Sequence, residues 1–111
     1  MLNLEITKTP IFEKQLKSLK KRFRNIDKDV DGWSGSIADV CDLGVLLGDG
    51  IYKVRISNSD KQRGKSGGYR VISYLKLVKN ELILIYIYDK SDLGNIDEKE
   101  LDRAILTTLE D

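Results

Sequence analysis

GIYKVRISNSDKQRGKSGGYRVISYLKLVKNELILIYIYDK, residues 50–90, contains three runs rich in β-branched and aromatic residues: Ile51–Ile56, Tyr69–Leu77 and Leu82–Tyr88. Such residues suit a pleated, half-buried surface, so each run reads as a strand. Lys79-Asn80 separates the second run from the third and suits a tight hairpin turn, because Asn tolerates positive φ. The connection NSDKQRGKSGG between the first two is polar, basic and glycine-containing, and reads as a mobile hairpin loop.

Outward from this meander, LNLEI at residues 2–6 alternates apolar and polar and reads as a short strand. Thr9 followed by Pro10 predicts a helix start, with Thr as the cap and Pro at the first helical position. Phe12, Leu16, Leu19 and Phe23 then form one apolar helical face, leaving Lys14, Lys17, Lys20, Lys21 and Arg22 largely outside it. Ile26, Val30, Trp33 and Ile37 continue the helical spacing, so a second helix is expected despite Gly32 and Gly35. DLGVLLGDG, residues 42–50, reads as a loop into the sheet. Toward the C-terminus, Asp97 and Glu100 have capping-box spacing, Ile96 and Leu101 that of a hydrophobic staple, and Leu101, Ile105 and Leu109 make an apolar stripe. The order β-α-α-β-β-β-α indicates a single α+β domain over residues 1–111, with a mainly antiparallel twisted sheet packed on helices. Helices are expected on one sheet face, leaving the other open.

Composition narrows the chemistry. A single cysteine, Cys41, excludes an internal disulfide and reads as a small buried apolar residue, while the absence of histidine removes Ser-His, Cys-His and His-containing zinc sites. No metal or cofactor is expected. Gly48-Asp49-Gly50 lacks phosphate-loop spacing, and Asp89, Asp92 and Asp97 lack an EF-hand pattern. The N-terminus carries no signal-peptide pattern and no apolar run is long enough to span a bilayer, so a cytoplasmic protein without membrane contact is expected. Net charge is +1, but the charges are segregated: residues 51–90 hold nine Lys/Arg against Asp60, Glu81 and Asp89, while residues 27–50 hold six Asp against Lys28. A local basic surface binds polyanions even when the total is near zero.

Side chains alternate across a strand, so Lys53 and Arg55 share one face and Arg70, Ile72 and Tyr74 share another. If these two faces coincide, Lys53, Arg55 and Arg70 line one sheet surface. Lys65 on the loop and Lys90 after the third strand would close around it, Lys61 and Arg63 would add charge, and Tyr74, Tyr86 and Tyr88 would offer stacking rings. RNA is cut by in-line attack of its own 2′-hydroxyl on the adjacent phosphorus, which requires a held phosphate, charge stabilisation and proton transfer. Arginine grips phosphate oxygens in charge-assisted pairs, and a lysine crowded by cations can serve as base or acid. Aromatic rings and guanidinium planes hold splayed bases. The ordinary reading of the same pattern is a half-solvated sheet face.

Gly50-Ile51-Tyr52-Lys53-Val54-Arg55-Ile56, then Gly64-Lys65-Ser66-Gly67-Gly68-Tyr69-Arg70-Val71-Ile72, then Ile87-Tyr88-Asp89-Lys90-Ser91-Asp92 together resemble the RelE/ParE superfamily of toxins, and its HigB-like branch most closely. Ile11-Phe12 followed by a basic helix fits as well, so the resemblance covers nearly the whole chain. It implies a small α+β toxin domain and a ribosome-dependent endoribonuclease that cuts mRNA without metal. It also implies catalytic roles for Lys53, Arg55, Arg70 and Lys90 and matches Lys65 to a basic loop position; together with the reading of the face itself, Lys61, Arg63, Lys65, Tyr74 and Tyr88 are the expected RNA-binding residues. Tyr88 or Asp89 would stand in for the tyrosine or histidine that some relatives place after the position of Lys90. The implied partner is a neutralising antitoxin, of the helix-turn-helix HigA kind, that connects the toxin to operator DNA. The alternatives are a ParE-like inhibitor of DNA gyrase and a protein that only binds its antitoxin in a regulatory complex.

Overall fold

The computed structural model describes residues 3–61 and 67–110. Five strands, β1 (Glu5–Lys8), β2 (Val45–Gly48), β3 (Ile51–Ile56), β4 (Tyr69–Lys76) and β5 (Glu81–Asp89), form one sheet in the order β1-β5-β4-β3-β2. β2, β3, β4 and β5 form an antiparallel meander, and β1 joins β5 in parallel, with Glu5 opposite Glu81 and Lys8 opposite Leu84. Three helices, α1 (Pro10–Lys20), α2 (Ile26–Gly35) and α3 (Glu98–Glu110), complete the α+β fold.

The helix-start signals hold. Thr9 Oγ1 accepts from the Phe12 amide at 3.2 Å and also donates to the Leu84 carbonyl at 3.1 Å, so the cap fastens α1 to β5. Beyond the end of β1, α1 covers that edge of β5, and Gln15 Oε1 takes the Ile87 amide at 2.8 Å. Asp97 Oδ1 accepts from the amides of Lys99 and Glu100 at 3.0 and 3.2 Å and caps α3. The meander turn also forms as expected, with Asn80 at φ 54° after a 3-10 turn over Leu77–Lys79.

Three expectations are corrected. Cys41 is exposed rather than buried, because the 3-10 turn over Val40–Leu43 sends Leu43 into the core instead. Residues 42–50 are not simply a loop. Val45–Gly48 forms an edge strand, paired with β3 through a bulge between Leu46 and Gly48, and the chain reverses at Asp49-Gly50. Nor is the second sheet face open. α1 and α2 bury Phe12, Leu16, Leu19, Ile26 and Val30 against Val54, Ile56, Tyr69, Val71, Leu82, Leu84 and Ile87 on one face. On the other, α3 sets Leu101, Ala104, Ile105 and Leu109 against a cluster containing Ile51, Ile72, Ile85, Tyr86 and Tyr88. The central strands β4 and β5 are therefore nearly continuously buried. A third helix on the sheet removes apolar side chains that would otherwise face water, at roughly 25 cal/mol per Å² of apolar surface.

Tyr69 lies in the first core, edge-on to the Phe23 ring at 5.9 Å between centroids. Its hydroxyl is buried and finds no hydrogen-bond partner among the described residues. Burial, then the carboxylates of Asp29, Asp60 and Asp89, push its ionisation far above the usual tyrosine range. An unsatisfied buried hydroxyl is unfavourable. Tyr69→Phe should leave stability unchanged or raise it by about 0–1 kcal/mol in urea unfolding. A loss of more than about 1 kcal/mol would show that the hydroxyl has a partner.

Candidate functional site

Hairpin register brings the basic residues together. Arg55 on β3 lies directly opposite Arg70 on β4, Lys53 is opposite Ile72, and Tyr88 on β5 is opposite Arg70. Lys53, Arg55, Arg70, Ile72 and Tyr88 thus share a sheet face, as alternation predicts. The face is divided: α3 covers the part built from Ile72, Tyr86 and Tyr88, while Lys53, Arg55 and Arg70 line an open cleft of about 440 Å³ with Gly44, Val45 and Leu47.

Gly44 makes this cleft sterically feasible. It has φ +91°, and a Cβ built there would lie 2.1 Å from the Lys53 carbonyl oxygen, so only glycine lets the chain entering β2 run so close to β3. β2 then supplies an apolar wall, with Val45, Leu46 and Leu47 largely exposed.

The three cations differ in setting. Arg55 is exposed, Lys53 is half-buried, and Arg70 is only 7% exposed. Arg70 Nη1 donates to the Tyr69 carbonyl at 3.2 Å and lies 3.5 Å from that of Gly68, contacts that fix one edge of the guanidinium. Burial, then the like charge of Arg55, lowers its pKa from the ordinary arginine value. An anion between Arg55 and Arg70 would relieve that repulsion. The pair is therefore suited to a phosphate, whose oxygens accept paired guanidinium hydrogen bonds.

The remaining candidates are spread around this centre. Lys90 is exposed immediately after β5, and its amide donates to the Gly68 carbonyl at 3.0 Å, beside the start of β4. Lys61 turns away from solvent, with Nζ 2.5 Å from Asp89 Oδ2. Tyr88 is buried edge-on to Tyr86, with centroids 6.4 Å apart, whereas Tyr74 on the far part of the face is half-buried. Arg63 and Lys65 lie outside the described residues. The loop expected to be mobile is tied down along its described first part: Asp60 accepts from the Asn25 amide and side chain at 2.9 and 3.0 Å, and Asp29 from the Ser59 amide and hydroxyl at 3.0 Å each.

Sequence reading gave Asp89 only a substitute's role, yet it is the most heavily bonded carboxylate near the site. It is fully buried and accepts from Asn58 Nδ2 at 3.1 Å, Lys61 Nζ, the Ser91 amide at 3.0 Å and the Ser91 hydroxyl. Burial raises its pKa, but hydrogen bonds from Lys61, Ser91 and Asn58 outweigh that and hold it below the usual carboxylate value. Its position at the end of an apolar strand, next to Lys90, was the available signal.

A larger cleft of about 710 Å³ lies between α1 and α3, lined by Ile11, Gln15, Glu100 and Arg103 among others. It mixes charges of both signs and holds none of the sheet cations. The smaller cleft is the better candidate because its charges are of one sign and converge. Among the described residues no cluster could hold a metal ion, and no helix is long and apolar enough to cross a membrane.

Residues 6–108 match the family model described as the RelE toxin of the RelE / RelB toxin-antitoxin system. The chain belongs to the RelE toxin family. Its fold resembles the crystal structure of the isolated E. coli RelE toxin at a TM-score of 0.52 and 16% identity, covering 78% of this chain and 84% of that one. The toxin-antitoxin complex RelBE of E. coli matches at a TM-score of 0.48 and 15% identity over 77% of this chain and 94% of that one. No curated protein sequence matches. In this RelE-family chain the converging basic residues lie on β3 and β4, within the span of the family match.

Proposed function

We propose that this RelE-family toxin is a metal-independent, ribosome-dependent endoribonuclease of the HigB-like kind, with the Lys53–Arg55–Arg70 cleft as its catalytic centre. The observation that carries the reading is the register placing Arg55 against Arg70 in a cleft shared with Lys53. Two guanidinium groups hold the scissile phosphate and stabilise charge on its oxygens as the 2′-hydroxyl attacks. The 2′ oxygen bonds to phosphorus, the bond to the 5′ oxygen breaks, and the products are a cyclic phosphate and a 5′-hydroxyl. The 2′ proton passes to a base, and the leaving oxygen takes one from an acid. Lys53, the amine within the cleft, and Lys90, exposed at the end of β5, are the groups for these transfers. Arg63, Lys65 and Tyr74 extend the RNA contact. Lys61 and Tyr88, both turned inward, contribute through the structure that supports the cleft.

Its partners are mRNA on the ribosome and a neutralising antitoxin, of the helix-turn-helix HigA kind, which connects it to operator DNA; its place of action is the cytoplasm. Family membership supports the antitoxin. Exposed Val45, Leu46 and Leu47 beside the cleft supply apolar surface of the kind a protein partner covers.

Purified ribosomes programmed with mRNA test the reading. Wild-type protein should generate new 3′ ends in the decoding site, and Lys53→Ala, of unchanged melting temperature, should slow their appearance by roughly 100-fold or more. Intact mRNA at high concentrations of wild-type protein would overturn it.

A further inference from the structure

We propose that Asp89 is a positioning residue of the cationic cleft: its buried carboxylate gathers Asn58, Lys61 and Ser91 into a knot that sets the chain leaving β3 and the Lys90 turn in register with Arg55 and Arg70. This rests on the nuclease reading above and assigns to that site a residue which touches no substrate.

The knot joins three segments distant in sequence. Asn58 and Lys61 come from the chain leaving β3, Asp89 ends β5, and Ser91 opens the 3-10 turn over Lys90–Asn95. Gly68, at the start of β4, lies inside it. A Cβ there would lie 2.0 Å from the Ile56 carbonyl oxygen, and the Gly68 carbonyl accepts the Lys90 amide at 3.0 Å. The same carbonyl is 3.5 Å from Arg70 Nη1. Asp89 is itself paired with Tyr69, next to Arg70 in the ladder. A shift of the knot therefore moves both Lys90 and the carbonyl bordering the Arg70 guanidinium.

Burying a carboxylate is unfavourable unless each lone pair is met, and here four donors meet them. A core residue would have closed this corner without the desolvation cost. What the carboxylate adds is directional: it fixes the donors' angles, and small misplacements at a reacting centre cost large factors in rate.

Asp89→Asn separates positioning from mere support. The substitution keeps shape but removes a negative charge, so electrostatics alone would leave RNA affinity unchanged or tighter. Loss of position instead lowers turnover. With the full-length protein on programmed ribosomes, turnover should fall roughly 10- to 100-fold while the KM for mRNA does not rise. Amide exchange at Lys61 and Ser91 should quicken by about tenfold or more. Should Asp89→Asn fail to fold, exposed Ser91→Ala removes one arm only and should lower turnover about three- to tenfold, again without raising KM. Equal turnover in the variant and wild type overturns the proposal, as does a loss that merely follows the folded fraction. A wild-type protein that leaves mRNA whole overturns the nuclease reading, and this role for Asp89 with it.

Discussion

Arg70→Ala should lower mRNA cleavage by about 100- to 1,000-fold, the scale set by removing a preorganised charge-stabilising donor from an enzyme site. Arg70 is only 7% exposed, so its guanidinium is held in place and partly freed from competing water before any phosphate arrives. Preorganised charge of this sort needs little rearrangement as charge grows on the phosphate oxygens. Arg55, directly opposite, is exposed, and its loss should cost less. Arg70→Lys should not restore the rate, because a point charge cannot both hold the Tyr69 carbonyl and face the cleft as a planar fork does. Truncation also removes the guanidinium's hydrogen bond to the Tyr69 carbonyl and its longer one to that of Gly68, which keeps the Lys90 amide, costing about 1–3 kcal/mol of stability. Cleavage must therefore be compared at a temperature where melting curves show both proteins folded. A variant that cuts within about threefold of wild type would move the catalytic centre elsewhere.

The second large effect concerns the scaffold. Phe12→Ala should destabilise the domain by about 3–5 kcal/mol, measured as a shift of the urea midpoint at constant slope. Phe12 has no exposed surface, and it enters the core one turn after the Thr9 cap that fastens α1 to β5. Truncation opens a void where backbone hydrogen bonds hold the surroundings in place, so collapse cannot fill it. Against a total stability of about 5–15 kcal/mol for a domain of this kind, that is roughly a fifth or more. Phe12→Leu, which keeps most of the volume, should cost visibly less. A loss below about 1 kcal/mol for alanine would mean that α1 is not held as described.

Local signals made much of this legible in the sequence. Thr9-Pro10, Asp97 and Asn80 act within a few residues of themselves, and each marks an observed boundary. Alternation put Lys53 and Arg55 on one face because that rule depends only on the strand's period. The opposition of Arg55 and Arg70 depends instead on hairpin register, which one residue more or less in the connection would reverse. β2 was missed because Val45-Leu46-Leu47 is brief, bounded by glycines and without alternation. It is a strand by virtue of β3 alongside. The covered second face had a signal that the reading passed over: Leu82 to Tyr88 is continuously apolar, the pattern of a strand buried on both sides. An amphipathic stripe tells that α3 buries a face, but not which surface receives it. Nothing local announces that Lys61 will meet Asp89, since 28 residues separate them.

The parallel pairing of β1 with β5 has a consequence for how the chain is made. Glu5 waits for Glu81 and Lys8 for Leu84, so the first strand synthesised is the last to find its neighbour. The β2-β3-β4 hairpins can assemble while the C-terminal part is still inside the ribosomal tunnel, and with them the basic cleft. Until β5 emerges, β4 has an unprotected edge and the N-terminal segment has no ladder to join. Non-local closure of this kind is slow relative to hairpin formation. A nascent chain of this toxin therefore passes through an interval in which its basic cleft is assembled ahead of the fold that stabilises it.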